Sequence, residues 1–274
     1  MTAAEALEAA RRFLADARNA DGAWGFLLGQ DSASEPTVLC AAADAGVAAS
    51  WLVSADLGYG VLLLPAALRA TPKTEILRES AIEHILARRS LPVPPDPAAT
   101  VKLDPTLIGW SWVDGTFGWV EPTAYAVISL KSAGLGEDAR VLEALRLLRD
   151  RKCNDGGWNY GNPVVLGRDL PADLAPTAWA TLALGRDEAA ESGFTVVLAA
   201  LEHPSSLGLA SALLAWTSRP ENLVPRHPQV QALLDALVAH QREDGSFGGR
   251  VDWTALAVCA LAAAERGTPH VFAV

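Results

Sequence analysis

Positive charge is scarce in this sequence. Lys and Arg total 22 against 32 Asp and Glu, a formal net charge of −10 over 274 residues. No basic stripe of the kind that neutralises phosphates is present, which argues against nucleic acid as a partner. Cysteine is nearly absent as well. Cys40, Cys153 and Cys259 leave an odd thiol and show no CxxC or CxH spacing, so neither a disulfide framework nor a finger-type zinc site is expected. Two of the three lie in apolar runs, where a buried free thiol is the ordinary role. A secretory apolar segment is lacking too: MTAAEALEAARRF reads as an amphipathic helix, and a reducing, cytoplasmic setting is expected. The most apolar region, Val38 to Leu68, is interrupted by Asp44 and Asp56 and is no convincing membrane span. Its part from Leu57, LGYGVLLLPAAL, reads as a core helix, with peripheral membrane contact or a greasy ligand as the alternative.

Hydrophobic residues are plentiful. They make up 50% of the chain and charged residues 20%, enough for a large core. Ala and Leu dominate and no long alternating β-type run occurs, so the class reads as all-α. One unit recurs four times. DGAWGF (from Asp21) precedes EPTVLCAAA, DGTFGW (from Asp114) precedes VEPTAYAVISL, NDGGW (from Asn154) precedes LAPTAWATLAL, and DGSFGG (from Asp244) precedes VDWTALAVCAL. A repeated unit takes precedence over any single-residue reading.

Two kinds of helix alternate along the chain. Amphipathic helices are expected over 3–18, 72–89, 137–152, 187–201 and 227–241. Apolar helices are expected from Glu35, over 57–70, 122–133, 176–184 and 206–216, and from Asp252. A helix that is hydrophobic all round must be buried all round. Two concentric layers satisfy both kinds: an (α/α)6 toroid or barrel, apolar helices inside and amphipathic helices outside, in one domain over 1–274. The segment from Pro92 to Pro105 carries five prolines and reads as a rigid, extended excursion.

The turn chemistry fits that arrangement. Asp-Gly supplies the positive φ that lets the chain leave an outer helix and reverse. Trp24, Phe117, Trp158 and Phe247 are expected to plug gaps between outer helices. Pro in the first helical turn wastes no hydrogen bond, and an acid beside it favours the helix dipole, so Glu35 and Glu121 have a structural explanation at hand.

At these residues the chain resembles the prenyltransferase and squalene-cyclase repeat superfamily. PTAWATLAL is similar to the inner helices of hopene and oxidosqualene cyclases. The segments ending in ADGAW, NDGGW and EDGSF resemble the family's glutamine-tryptophan repeat, with Gln241 keeping the glutamine and Arg18 and Lys152 standing in its place elsewhere. The resemblance implies an α/α barrel acting on an isoprenoid. Two departures limit it. The DxDD acid of class II terpene cyclases is missing: DLAPTA from Asp173 keeps the first Asp, and WVEPTA puts Glu121 at the donor position without it. The zinc ligands of protein prenyltransferases are missing as well, since Asp252 and Cys259 are seven apart and His84, His203, His227 and His240 fall on outer helices or loops. No metal or cofactor is expected. The prenyltransferase likeness also leaves open a partner subunit.

Departures from the repeat are the better places to look for function. Asp173, Glu121 and Asp252 are the candidate catalytic acids, because a carboxyl in an apolar cavity holds its proton and can donate it. Tyr59, Trp110, Trp112, Trp216 and Trp253 are candidate substrate-binding aromatics, whose faces stabilise cations. Arg168, in the long loop between the turn and the helix of the third unit, is a candidate contact for a diphosphate. The expected activity is acid-initiated cyclisation or isomerisation of an isoprenoid or other long apolar small molecule. The alternatives are a non-catalytic lipid-, isoprenoid- or partner-binding barrel and, last, a carbohydrate-active α/α barrel with paired carboxylates. A side-chain-filled interior would count against the first two.

Overall fold

The chain, seen in a computed structural model, is described over residues 1–68, 70–94, 100–199 and 204–274. His203, the end of the helix expected to reach Leu201, and the centre of the proline-rich segment lie outside the described residues. The described part is mostly helical. Its helices are α1 (Ala3–Asp16), α2 (Ser34–Ala42), α3 (Ala49–Ser54), α4 (Leu64–Ala67), α5 (Glu75–Ala87) and α6 (Val120–Ser132). There follow α7 (Ala139–Asp150), α8 (Leu174–Leu184), α9 (Glu188–Ala199), α10 (Ser206–Thr217), α11 (Pro228–Ala239) and α12 (Val251–Arg266). Two short strands, β1 (Val164–Val165) and β2 (Arg168–Asp169), pair antiparallel in the long loop before α8.

The amphipathic pattern decides which faces are covered. Helix α1 opens on a capping box, Thr2 and Glu5 satisfying each other's backbone N–H, and buries Ala6, Leu7, Ala10, Phe13 and Leu14. Every residue of α8 is buried, as expected of LAPTAWATLAL. The apolar helices meet in order: α2 on α4 and its preceding 3-10 turn, these on α6, then α6 on α8, α8 on α10, α10 on α12, and α12 back on α2. The amphipathic helices lie against them, α5 on α4, α7 on α6, α9 on α8, α11 on α10 and α1 on α12. No described helix is long and apolar enough to cross a membrane.

The second apolar stretch departs from expectation. Instead of one helix over 57–70, a 3-10 turn at Gly58–Leu63 leads into the four-residue α4. Pro65 lacks the N–H that a continuous helix needs, so the chain starts afresh there. Gly60 also presses against Ser34, leaving no space for a side chain.

One clasp ties each turn to its apolar helix. The backbone N–H groups of Trp24, Trp110, Trp158 and Phe247 donate to the hydroxyls of Thr37, Thr123, Thr177 and Thr254 at 2.9–3.0 Å. Three indoles close the other side, donating to the carbonyls of Leu14, Ile85 and Leu148 near the ends of α1, α5 and α7. A cation lies over each of these rings: Arg18 on Trp24, Arg140 on Trp110 and Lys152 on Trp158. In the second unit the plug is therefore Trp110, and Phe117 stays 37% exposed. The reason is close packing at the residue before the ring. Trp110 stands thirteen residues before its threonine, as Trp24 does, and Gly109 lets the turn pack directly onto Thr123.

Candidate active site

Helices α2, α6 and α12 each place an acid at the second position after the N-cap: Glu35, Glu121 and Asp252. Helices α8 and α10 carry Ala175 and Leu207 at that level. One turn deeper the same level holds Leu39, Tyr125, Trp179, Ser211 and Leu256. A layer of carboxylates thus sits on a layer of aromatic and aliphatic side chains, and the acids feel one another's charge.

Their environments differ. The Tyr59 hydroxyl donates to Glu35 at 2.9 Å. Burial nevertheless raises Glu35 to about 7; the Tyr59 bond and Arg250 oppose this, and the charge of Asp252 adds to it. Glu121, 8% exposed, rises to about 8, through burial first and then the negative charges of Glu35 and Asp173. Among the described residues its carboxylate has no hydrogen-bond or ion-pair partner. Asp252 is held in a bidentate pair by Arg250, at 2.9 and 2.7 Å, and that guanidinium lies over Phe26 and Trp253. Asp173 serves as the N-cap of α8, its Oδ1 accepting from the Ala175 N–H. Of the three acids expected from the sequence, Glu121 alone is both buried and uncommitted.

The aromatic floor is continuous. Tyr59, Trp112, Tyr125, Trp179 and Phe272 follow one another edge to face, with ring centroids 4.7–5.7 Å apart. Tyr59, Trp112 and Trp253 thus lie by the acids. The other candidates do not. Trp110 serves as the plug described above. Trp216 packs between Phe194 of α9 and His227 at the start of α11. Arg168 is exposed on β2. Glu35 and Tyr125, by contrast, belong to the site. Glu35 has a helix-start explanation in the sequence, although its position matches that of Glu121, and Tyr125 carries no sequence signal beyond its place in an apolar helix.

Space is unevenly distributed. Beside Glu35, Tyr59 and Tyr125 the interior leaves about 10 Å³ for the centre of a water molecule, room for about one water. An open hollow of about 340 Å³ lies at the surface, lined by Asn159, Tyr160, Leu170, Pro171 and Asp173 among others. The Tyr160 phenol is pushed up by burial and by the charges of Asp173 and Glu121, so this hollow adjoins the acid layer.

No family model matches the chain, and no curated protein does. Among solved structures it is similar to variants of the type II terpene cyclase MstE from Scytonema. The complex with merosterolic acid A aligns at 14% identity and a TM-score of 0.46, covering 97% of both chains. The complex with geranylgeranyl dihydroxybenzoate gives 14% and 0.45, covering 96% of this chain and 97% of the other. A protein from Actinoplanes aligns at 16% and 0.41 over 96% and 99%. Likeness at this level assigns neither chemistry nor residue roles to this chain.

Proposed function

We propose that the chain is an enzyme of the class II terpene cyclase kind, using Glu121 to protonate an isoprenoid or other long apolar substrate and start a cyclisation or isomerisation. The observation that carries this reading is Glu121 itself: a buried, unpaired carboxyl raised to about 8, one helical turn above Tyr125 and the aromatic floor. At neutral pH such a carboxyl holds its proton and delivers it to a weak base that binds against it. The ring faces of Tyr59, Trp112, Tyr125 and Trp179 are suited to stabilise a carbocation formed beside them. The raised Glu35, hydrogen-bonded to Tyr59, is a second acid in the same layer. The order of helix contacts, returning from α12 to α2, supports the (α/α)6 toroid as the frame, with the acid layer at the end where the apolar helices begin. The hollow beside Tyr160 and Asp173 then serves as the way in.

The test is turnover of farnesyl- and geranylgeranyl-type substrates, with hydrocarbon products identified by mass spectrometry. Glu121→Gln abolishes product while the fold is kept, whereas Asp173→Asn chiefly weakens the start of α8. Full turnover by Glu121→Gln would sink the assignment.

A second reading is a barrel that binds an apolar molecule without converting it. The missing DxDD acid favours it, while an interior with room for about one water counts against this reading as it does against the first. Its mark is co-purified lipid with no product from any substrate of the panel.

A further inference from the structure

The interior is filled from below by the chain itself. After α12 ends at Gly267, in the left-handed conformation, the chain turns back beneath the apolar helices. Phe272 is fully buried, its ring edge-on to Trp179 at 5.6 Å, and it forms the last link of the aromatic series that begins at Tyr59 beside the acids. Besides this burial, which His270 shares, the Thr268 N–H donates to the Ala263 carbonyl at 3.3 Å and three further bonds fasten the segment. His270 Nε2 meets the Leu214 carbonyl at 2.7 Å, the Phe272 N–H donates to His270 Nδ1 at 3.1 Å, and the Ala273 N–H donates to the His270 carbonyl. Beside it lies an open hollow of about 330 Å³, bordered by Leu182, Phe194, Pro269, Ala273 and Val274. Two features above Phe272 lack what a finished core has. Among the described residues the buried Trp179 indole N–H has no partner, and the Tyr125 layer ends in a gap of about one water.

We propose that residues 268–274 are a removable plug standing in an apolar tunnel, and that a polyprenyl chain displaces Phe272 to lie along Trp179, Tyr125 and Trp112 with one double bond at Glu121. This rests on the function proposed above. It accounts for a filled interior in a protein that takes a long substrate: Phe272 holds the place of one segment of that substrate and keeps the aromatic faces out of water until it arrives. The ligand class follows from the lining, which offers rings and aliphatic carbons and few polar groups below the acid layer.

The test uses the full chain and geranylgeraniol as the probe. Amide hydrogen exchange at Phe272 and Ala273 is measured with and without saturating probe. Exchange at these amides is expected to quicken by about tenfold or more while α8 and α10 keep their protection, since the bound and plugged states exclude each other. Unchanged or slower exchange under saturating probe overturns the plug. In parallel, Phe272→Ala is expected to bind the probe about tenfold more tightly than the native protein, and Phe272→Leu, which keeps an apolar plug, to stay near it. Equal affinity in all three, or no binding by any, also overturns it. Turnover separates this from the acid assignment. A plug that moves in a protein whose product formation ignores Glu121→Gln leaves the tunnel standing and removes the acid. Glu121-dependent product with a stationary plug does the reverse.

Discussion

The Tyr59 hydroxyl donates to a carboxylate oxygen of Glu35 across 2.9 Å, joining the start of α2 to the 3-10 turn that follows α3. The bond favours the charged form of a carboxyl that burial otherwise drives towards the neutral one. Tyr59→Phe removes the donor and keeps the ring against Trp112. A hydrogen bond to a charged group is worth about 1.5–3 kcal/mol, so Glu35 should rise by about one pKa unit or more from its value near 7. Carboxyl titration by NMR reads this directly. An unmoved Glu35 would show that Tyr59 does not hold its charge.

Glu121 makes stability depend on pH in an unusual direction. Its carboxyl is raised from 4.5 to about 8 in the folded chain, so between those values the folded state binds more protons than the unfolded one. Its contribution is complete below about pH 4.5 and is lost as pH rises through about 8. The upper bound is about 5 kcal/mol, at about 1.4 kcal/mol per pKa unit. Urea titrations at pH 5 and pH 9 should show the native protein weakening in alkali and Glu121→Gln doing so much less. Turnover should follow the same group, level at neutral pH and falling above about 8. If Glu121→Gln keeps the full alkaline loss, another group is responsible.

The threonine clasp predicts a structural effect that repeats along the chain. In the third unit the Thr177 hydroxyl accepts from the Trp158 N–H at 2.9 Å and donates to the Trp158 carbonyl at 3.0 Å, all fully buried. Thr177→Val keeps the shape and orphans the Trp158 N–H, while the Trp158 carbonyl keeps its bond from the Asp173 N–H. The expected cost is about 1–3 kcal/mol, against about 1 kcal/mol or less for Thr177→Ser, which keeps the hydroxyl. Thr37→Val and Thr123→Val should behave alike, because their hydroxyls make the same pair of bonds to Trp24 and Trp110. Equal stability of the Val and Ser variants would show that packing, and not the hydroxyl, holds the turn.

The helices and the repeat were readable because Pro-Thr starts and apolar runs are local signals. Three features were not, for physical reasons. Phe117 follows the Asp-Gly pattern, yet the plug needs a small residue before the ring so that the turn can press onto the threonine, which Gly109-Trp110 satisfies. Glu35, Glu121 and Asp252 share a position in the repeat, but the raised state of Glu35 and Glu121 depends on burial and on charges brought by other helices. Asp252 and Asp173 have partners two residues away, Arg250 and the Ala175 N–H, whereas the burial of Glu121 without a partner among the described residues is set by packing that WVEPTA does not reveal. Nor does VFAV near the chain's end carry a pattern that marks Phe272 as part of the aromatic series. That contact exists only because the chain folds back under Trp179.

His270 should make that fold-back sensitive to acid. The Phe272 N–H donates to Nδ1, so the proton of the neutral ring sits on Nε2, directed at the Leu214 carbonyl. A second proton would have to go on Nδ1, against the Phe272 N–H. Burial lowers the imidazole from 6.5 to about 4, with the Leu214 bond acting the other way, and among the described residues the ring has no charged hydrogen-bond or ion-pair partner. A segment released into water regains a value near 6.5, so release binds a proton and becomes easier as pH falls from about 6.5 towards 4. Above 6.5 both states are neutral and the contribution is level. The full range is at most about 3 kcal/mol. Exchange of the Phe272 amide, corrected for its intrinsic rate, should therefore lose protection between pH 6.5 and 4.5 in the native protein and much less in His270→Gln, which cannot titrate. Equal loss in both would place the acid sensitivity elsewhere.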